Sequence, residues 1–266
     1  MSAPLCMVAL VALVACMCMC MCMGAHGAQG VHILALGDSL TEGMTRRSAT
    51  NPTGFHPYAT RLQELLNTHH LPRVVEVTQK GVSAERVLAT MRRRLERELQ
   101  GTQDAGFAYV WVLLLAGIND IGAAQHADKI WNDGLLPMYL DVMRHGAKLL
   151  AMTCMQTRAS EIAARADVDV EGPRAYAYEQ HRQALNVHIR AYCSSHSGGC
   201  VLLDLDKLVP YVNISAAQRA EMWDDGIHLT PHGYDHVADL LNVALARYLH
   251  GDRRVGAPLA STAAEA

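Results

Sequence analysis

Residues 31–40 read VHILALGDSL, and this stretch decides the fold. Val31 to Leu36 is an apolar run of strand length, interrupted only by His32. Such a run reads as a strand buried on both faces, as in a parallel sheet covered by helices. Gly37, Asp38 and Ser39 then break the run with turn-forming residues. Ser39 therefore stands where the strand ends, and open parallel sheets bind ligands beyond the carboxyl ends of their strands. Taken alone, Gly37-Asp38-Ser39-Leu40 is explained as well by a turn serine or a helix N-cap.

Working outward, the chain alternates short apolar runs with helical periods. Pro57 opens a helix with Tyr58, Leu62, Leu65 and Leu66 on one face. Arg73 to Val77 reads as a second strand, and Ser83 to about Gln100 as a helix with Val87, Met91 and Leu95 four apart. Tyr109 to Leu115 reads as a third strand. Ala127 to His145 is a helix bent at Pro137. Ala147 to Met152 and Cys200 to Leu205 are further strands, separated by a helix from Arg174 to Cys193. Pro231 opens the last helix, which runs to about Leu249. Residues 156–173 lose periodicity and gather charge, which marks them as a candidate substrate-facing loop. This alternation predicts an α/β fold: a three-layer α/β/α sandwich around a central, mostly parallel five-stranded sheet. One folded domain is expected over residues 30–250, with a disordered tail over 251–266.

The N-terminus is of a different kind. Residues 1–29 contain no Asp, Glu, Lys or Arg, and Pro4 to Met23 is one uncharged apolar run. With small residues at Gly24, Ala25, Gly27 and Ala28, residues 1–29 read as a signal peptide, and the protein as secreted. The alternatives are an uncleaved anchor associating with the membrane through residues 4–23 and, from Leu13-Val14-Ala15-Cys16, a lipoprotein box. Of eight cysteines only Cys154, Cys193 and Cys200 lie past residue 30. In an oxidising compartment Cys193 and Cys200 can pair, leaving Cys154 in a strand; three free thiols is the competing reading. Asn213-Ile214-Ser215 is a glycosylation sequon for a secreted chain. A net charge of −3 gives no electrostatic reason to expect nucleic acid as a partner.

Three further blocks fall at strand ends or helix starts: Gly81, Gly117-Ile118-Asn119-Asp120 and Asp225-Gly226-Ile227-His228. With Gly37-Asp38-Ser39-Leu40 they resemble, in order, the four blocks of the SGNH hydrolases, the GDSL lipases and esterases. The resemblance covers about residues 31–248. It implies a serine esterase with a flavodoxin-like sandwich, no cofactor and no metal. It implies Ser39 as nucleophile, His228 as general base and Asp225 as its orienting acid. It also implies an oxyanion hole from the amides of Ser39 and Gly81 and the side chain of Asn119.

Elementary chemistry agrees with these roles. A serine hydroxyl needs a base to become a nucleophile. An imidazole serves at neutral pH, and a carboxylate on its other nitrogen fixes the tautomer. A glycine lets backbone approach closely, and an asparagine amide is a neutral donor. Asp38 is expected to hold the nucleophile turn and Asp120 to brace the Asn119 loop. Asp224 competes with Asp225 for the acid's role.

The substrate is expected to be a small ester or an acyl lipid. Only 5% of residues are aromatic, and Trp111 falls in a strand, so no sugar-stacking platform is evident. Within the same chemistry the alternatives are a carbohydrate O-acetylesterase, a lysophospholipase or a thioesterase. In another class stands a non-catalytic, membrane-displayed binding module. His228, His232 and His236 are four apart, but Pro231 starts the helix after His228 and argues against a metal site. Arg92, Arg93, Arg94 and Arg97, interleaved with Glu96 and Glu98, read as a solvated helix face. Gly54 to Tyr58 either lines the pocket or caps the first helix.

Overall fold

The computed structural model describes residues 30–68, 73–165 and 172–249. The expectations of a signal peptide, an anchor and membrane association through residues 4–23 lie outside the described residues, as does the tail from 251 onward. Among the described residues, no helix is long and apolar enough to cross a membrane.

The chain begins with β1 (Val31–Gly37), a short α1 (Ser39–Glu42), α2 (Tyr58–Thr68) and β2 (Val75–Gly81). A π-helical turn, Val87–Met91, runs into α3 (Arg92–Asp104), followed by β3 (Tyr109–Leu115) and α4 (Ile118–Gly122). Next come α5 (Ala127–Ile130), a second π-helical turn (Trp131–Leu135), α6 (Leu136–Arg144) and β4 (Lys148–Met152). The remainder is α7 (Arg158–Ala164), α8 (Gly172–Ser195), β5 (Cys200–Leu203), α9 (Leu205–Leu208), α10 (Ala216–Met222) and α11 (Pro231–Leu249).

The five strands form one sheet in the order β2-β1-β3-β4-β5, and every pairing is parallel. Ile33 to Leu36 and Val112 to Leu115 are buried on both faces, which is why their runs are continuously apolar. One face of the sheet is covered by α2 and α11, which pack on each other; α3, α6 and α8 belong to the other layer. Strand order reverses between β1 and β3. The crevice beyond their carboxyl ends is where such sheets bind ligands.

Several boundaries differ from the sequence reading. The second strand starts two residues later and runs on to Gly81, in register with Gly37. The helix expected from Ser83 starts only at Val87, because residues 82–86 form a turn with Ala84 in the left-handed region (φ 60°). The expected Ala127–His145 helix is three pieces, and its irregularity is the π-helical turn at 131–135 rather than Pro137. Gly134 packs there against Val87: an added Cβ would lie 2.3 Å from the valine. Part of the irregular 156–173 segment is α7, started by a capping box between Thr157 and Ser160. The last strand stops at Leu203, and Leu205 already belongs to α9.

Cys193 and Cys200 are disulfide-bonded, with Cα atoms 5.0 Å apart. Cys154 is a buried free thiol two residues beyond β4 rather than within a strand. A buried ionic network ties this end of the sheet to α8. Arg182 donates to the Cys154 carbonyl (2.7 Å), to Asp206 (2.6 Å) and to both carboxylate oxygens of Glu179. Arg190 adds bonds to Asp204 and Asp206, and Thr153 donates to Asp204 at 3.0 Å. Burial pushes the Glu179 carboxyl upward, but the Arg182 and Ser160 bonds outweigh it and hold it below the usual range.

Candidate active site

The site assembles at the carboxyl ends of β1, β2 and β3, with α11 supplying support from behind. Asp38 is the N-cap of α1: its Oδ1 accepts the Leu40 amide at 3.0 Å. The cap fixes the turn that carries Ser39. Asp38 is fully buried, and its Oδ2 makes no hydrogen bond among the described residues. Burial, opposed by the Leu40 bond and reinforced by Asp120 and Glu85, pushes its carboxyl up to about 7.

Ser39 Oγ lies 3.0 Å from His228 Nε2, across 189 residues of chain. His228 Nδ1 lies 2.8 Å from Asp225 Oδ2. The other carboxylate oxygen of Asp225 accepts the amides of Ile227 and His228, both at 2.7 Å. Burial raises the Asp225 carboxyl, but the His228 ring and these amides outweigh it and hold it below the ordinary range. The imidazole is thus held at both nitrogens.

Asp224 turns the other way. Its carboxylate accepts the Arg46 amide at 2.6 Å and the Thr45 hydroxyl at 3.3 Å. It therefore fastens the segment after α1 to the histidine loop. Tyr234 of α11 reaches the same segment through the Met44 carbonyl at 2.8 Å.

Gly81 ends β2 with its Cα against α1. An added Cβ would lie 2.1 Å from the Glu42 nitrogen, so only glycine fits. Asn119 lies in α4, whose start is the left-handed Gly117 (φ 109°). One N–H of the Asn119 amide is donated to the Glu85 carbonyl at 3.1 Å. Asp120 is buried and accepts the Val87 and Leu88 amides at 2.8 and 3.1 Å, bracing the Asn119 segment against the π-helical turn that precedes α3. Burial raises its carboxyl against these two bonds.

Ser39, His228, Asp225, Asn119 and Gly81 thus gather at one end of the sheet. Residues that the sequence did not single out complete the surroundings. Glu42 accepts the amide of Ser83 at 2.7 Å and also its hydroxyl. Ala84, next in line, has an amide with no hydrogen-bond partner among the described residues. Arg94 is not part of a solvated face. Its side chain is turned inward onto Glu85 and the strand ends, while Arg93 and Arg97 stay exposed. Nothing in the spacing of the arginine run distinguishes Arg94 from its neighbours. His232 pairs with Glu221 and His56 with Asp235, so neither joins His228. Phe55 is exposed and bridges Met44, whereas Tyr58 is buried at the start of α2.

A model of the GDSL-like lipase/acylhydrolase family matches residues 35–236 of the chain. A comparison with curated proteins finds no match. Solved structures with a similar fold include a carbohydrate acetylesterase from Sinorhizobium meliloti, 17% identical, with a TM-score of 0.58 over 82% of this chain and 99% of that one. A family 3 carbohydrate esterase from Clostridium thermocellum is 15% identical, with a TM-score of 0.58 over 84% and 98%. A GDSL-like lipase from Bacteroides thetaiotaomicron is 15% identical, with a TM-score of 0.55 over 82% and 88%. At these identities the likeness is one of fold.

Proposed function

The chain belongs to the GDSL-like lipase/acylhydrolase family of ester-bond hydrolases, and from that premise we propose that Ser39, His228 and Asp225 are its catalytic triad. The supporting observation is the relay of 3.0 Å from Ser39 to His228 and 2.8 Å from His228 to Asp225. Ser39 Oγ attacks the ester carbonyl carbon while its proton passes to His228 Nε2. The carbonyl oxygen becomes an oxyanion. It is met by the Ser39 and Gly81 amides and by the Asn119 N–H that Glu85 does not use. The intermediate collapses, and His228 returns the proton to the leaving alcohol oxygen. Water then attacks the acyl-Ser39 carbonyl with His228 as base, releasing the acid and restoring Ser39.

We assign the substrate to acyl esters rather than acetylated sugars. Met44, Phe55, Val82 and Ile227 are all large, apolar and about 40% exposed. Each adjoins the site. The Met44 amide bonds to the Ser39 carbonyl at 2.9 Å, and its sulfur lies 3.8 Å from Ser83 Oγ. Val82 follows Gly81, and Ile227 precedes His228. Such a rim favours an apolar acyl chain over a hydroxyl-rich ring. The Cys193–Cys200 disulfide supports the secretory route expected from residues 1–29.

The test is labelling with a fluorophosphonate. Wild type should be labelled and Ser39→Ala should not; a folded wild type that takes no label and cleaves no ester ends the triad assignment. Esters of increasing acyl length, set beside acetylated sugars, test the substrate class.

A further inference from the structure

We propose that Arg94 and Glu85 form an ionic clamp that positions the oxyanion-binding groups, a role resting on the reading of Ser39 and Asn119 given above. The donors that would meet the oxyanion come from three separate segments, at the ends of β1, β2 and β3. The sheet sets Gly37 beside Gly81, but Asn119 lies beyond its strands. The Arg94 guanidinium links all three segments. Its Nη2 donates to the Gly37 carbonyl at 2.9 Å, two residues before Ser39. Its Nη1 donates to the Lys80 carbonyl, on the peptide that carries the Gly81 amide. Its Nε lies 3.0 and 3.2 Å from the two carboxylate oxygens of Glu85, and Nη2 also bonds to that carboxylate. Glu85 is the residue whose own carbonyl takes the Asn119 amide. One side chain thereby reaches β1 and β2 directly and the Asn119 side chain through a single ion pair.

The chemistry suits arginine alone. A guanidinium presents five N–H donors in a rigid plane, enough for two carbonyls and a carboxylate at once, whereas an ammonium is a point charge with three. The side chains of Arg94 and Glu85 are only 12% and 6% exposed, so water screens their attraction little. Thr90 completes the carboxylate with a bond of 2.8 Å to Glu85 Oε1. The clamp also holds the 82–85 turn, where Ala84 keeps a left-handed backbone. Neither Arg94 nor Glu85 touches the reacting atoms; they are positioning residues.

The experiment compares Arg94→Met, Arg94→Lys and Glu85→Gln with wild type on one acyl ester. Misplacing oxyanion donors weakens transition-state binding, so kcat should fall about ten- to a hundredfold in Arg94→Met while KM moves less than about threefold. Arg94→Lys should fall between the two, because it keeps the charge but not the fork. An unchanged kcat, or a loss carried by KM, overturns the clamp. If Arg94→Met does not fold, Glu85→Gln, which keeps its shape and its Thr90 bond, decides instead.

A purely structural salt bridge is separated by a double-mutant cycle. On an Asn119→Ala background, Arg94→Met should cost less than it does in wild type, since only the β1 and β2 donors remain to be misplaced; a full multiplicative loss overturns the proposal. Hydrogen exchange supplies the arm that needs no turnover. Residues 37–42, 80–90 and 117–122 should exchange faster in Arg94→Met, with β4 unchanged, and equal exchange rejects the clamp. If wild type neither cleaves esters nor takes a fluorophosphonate, the triad reading fails, and exchange alone then decides the clamp.

Discussion

Asp224 and Asp225 are adjacent and point their carboxylates at different parts of the site: Asp225 Oδ2 lies 2.8 Å from His228 Nδ1, and Asp224 Oδ2 lies 2.6 Å from the Arg46 amide. The acid three residues before the histidine takes the ring; its neighbour takes the loop.

That division predicts unequal mutants. Asp225→Asn leaves the geometry nearly intact but presents the wrong partner to Nδ1, so kcat should fall by roughly 10²- to 10⁴-fold. Asp224→Asn should lose less than about tenfold, with faster proteolysis near Arg46. Steady-state kinetics of the two variants checks this, and equal losses would refute the assignment of roles.

Asp38 predicts a pH dependence of stability. Its carboxyl ionises near 3.8 when unfolded and at about 7 when folded. Between those values the folded state holds the proton that the unfolded state has released, so this group lowers stability as pH rises from about 4 to about 7 and no further above. Asp38→Asn removes the titration and keeps an oxygen for Leu40. Urea unfolding should show the variant gaining on wild type across that window, by on the order of a few kcal/mol in total, then running parallel. A pH-independent difference would sink the idea.

Arg182 predicts a stability effect without a catalytic one. It is almost fully buried among Glu179, Asp206 and the Cys154 carbonyl. Arg182→Met takes the buried cation from Glu179 and Asp206, leaving Asp206 with Arg190 and Glu179 with Ser160 and Gln183, and should lower the unfolding free energy by about 3 kcal/mol. The variant should keep its kcat at temperatures where it is folded. Denaturant melts and kinetics at low temperature measure both.

Phe55 and Met44 predict a chain-length effect. Replacing both with serine removes apolar surface beside Ser39. KM for an octanoyl ester should rise about five- to thirtyfold, from roughly 1–2 kcal/mol of lost apolar burial, with acetyl esters nearly unaffected. Equal effects on both esters would remove the acyl rim from the account.

Much of this fold was legible because the strands are buried on both faces. Val31–Leu36, broken only by His32, and Tyr109–Leu115 are apolar runs of strand length, and both fall where expected. Helix starts were less legible where tertiary contacts decide them. The turn at 82–86 delays the third-layer helix to Val87, and its left-handed residue is an alanine, which no turn rule flags. The π-helical turn at 131–135 reflects the packing of Gly134 on Val87, a contact across forty-odd residues that local pattern cannot anticipate. The candidate site was legible in its short blocks: Asp38 holds the nucleophile turn as expected, and Asp225 stands beside His228 as the resemblance implied. Arg94 was not, because four arginines in six positions look alike until the sheet turns one of them inward.

Ser39 and His228 meet across 189 residues, and that span has a consequence for when the site exists. All five strands, the nucleophile turn and Asn119 precede residue 204; the histidine loop and α11 come last. A chain emerging from the ribosome has all five strands before it has His228. With the proposed triad, truncation after α10 removes the histidine loop and α11 together, and leaves Ser39 on a complete sheet without its partner.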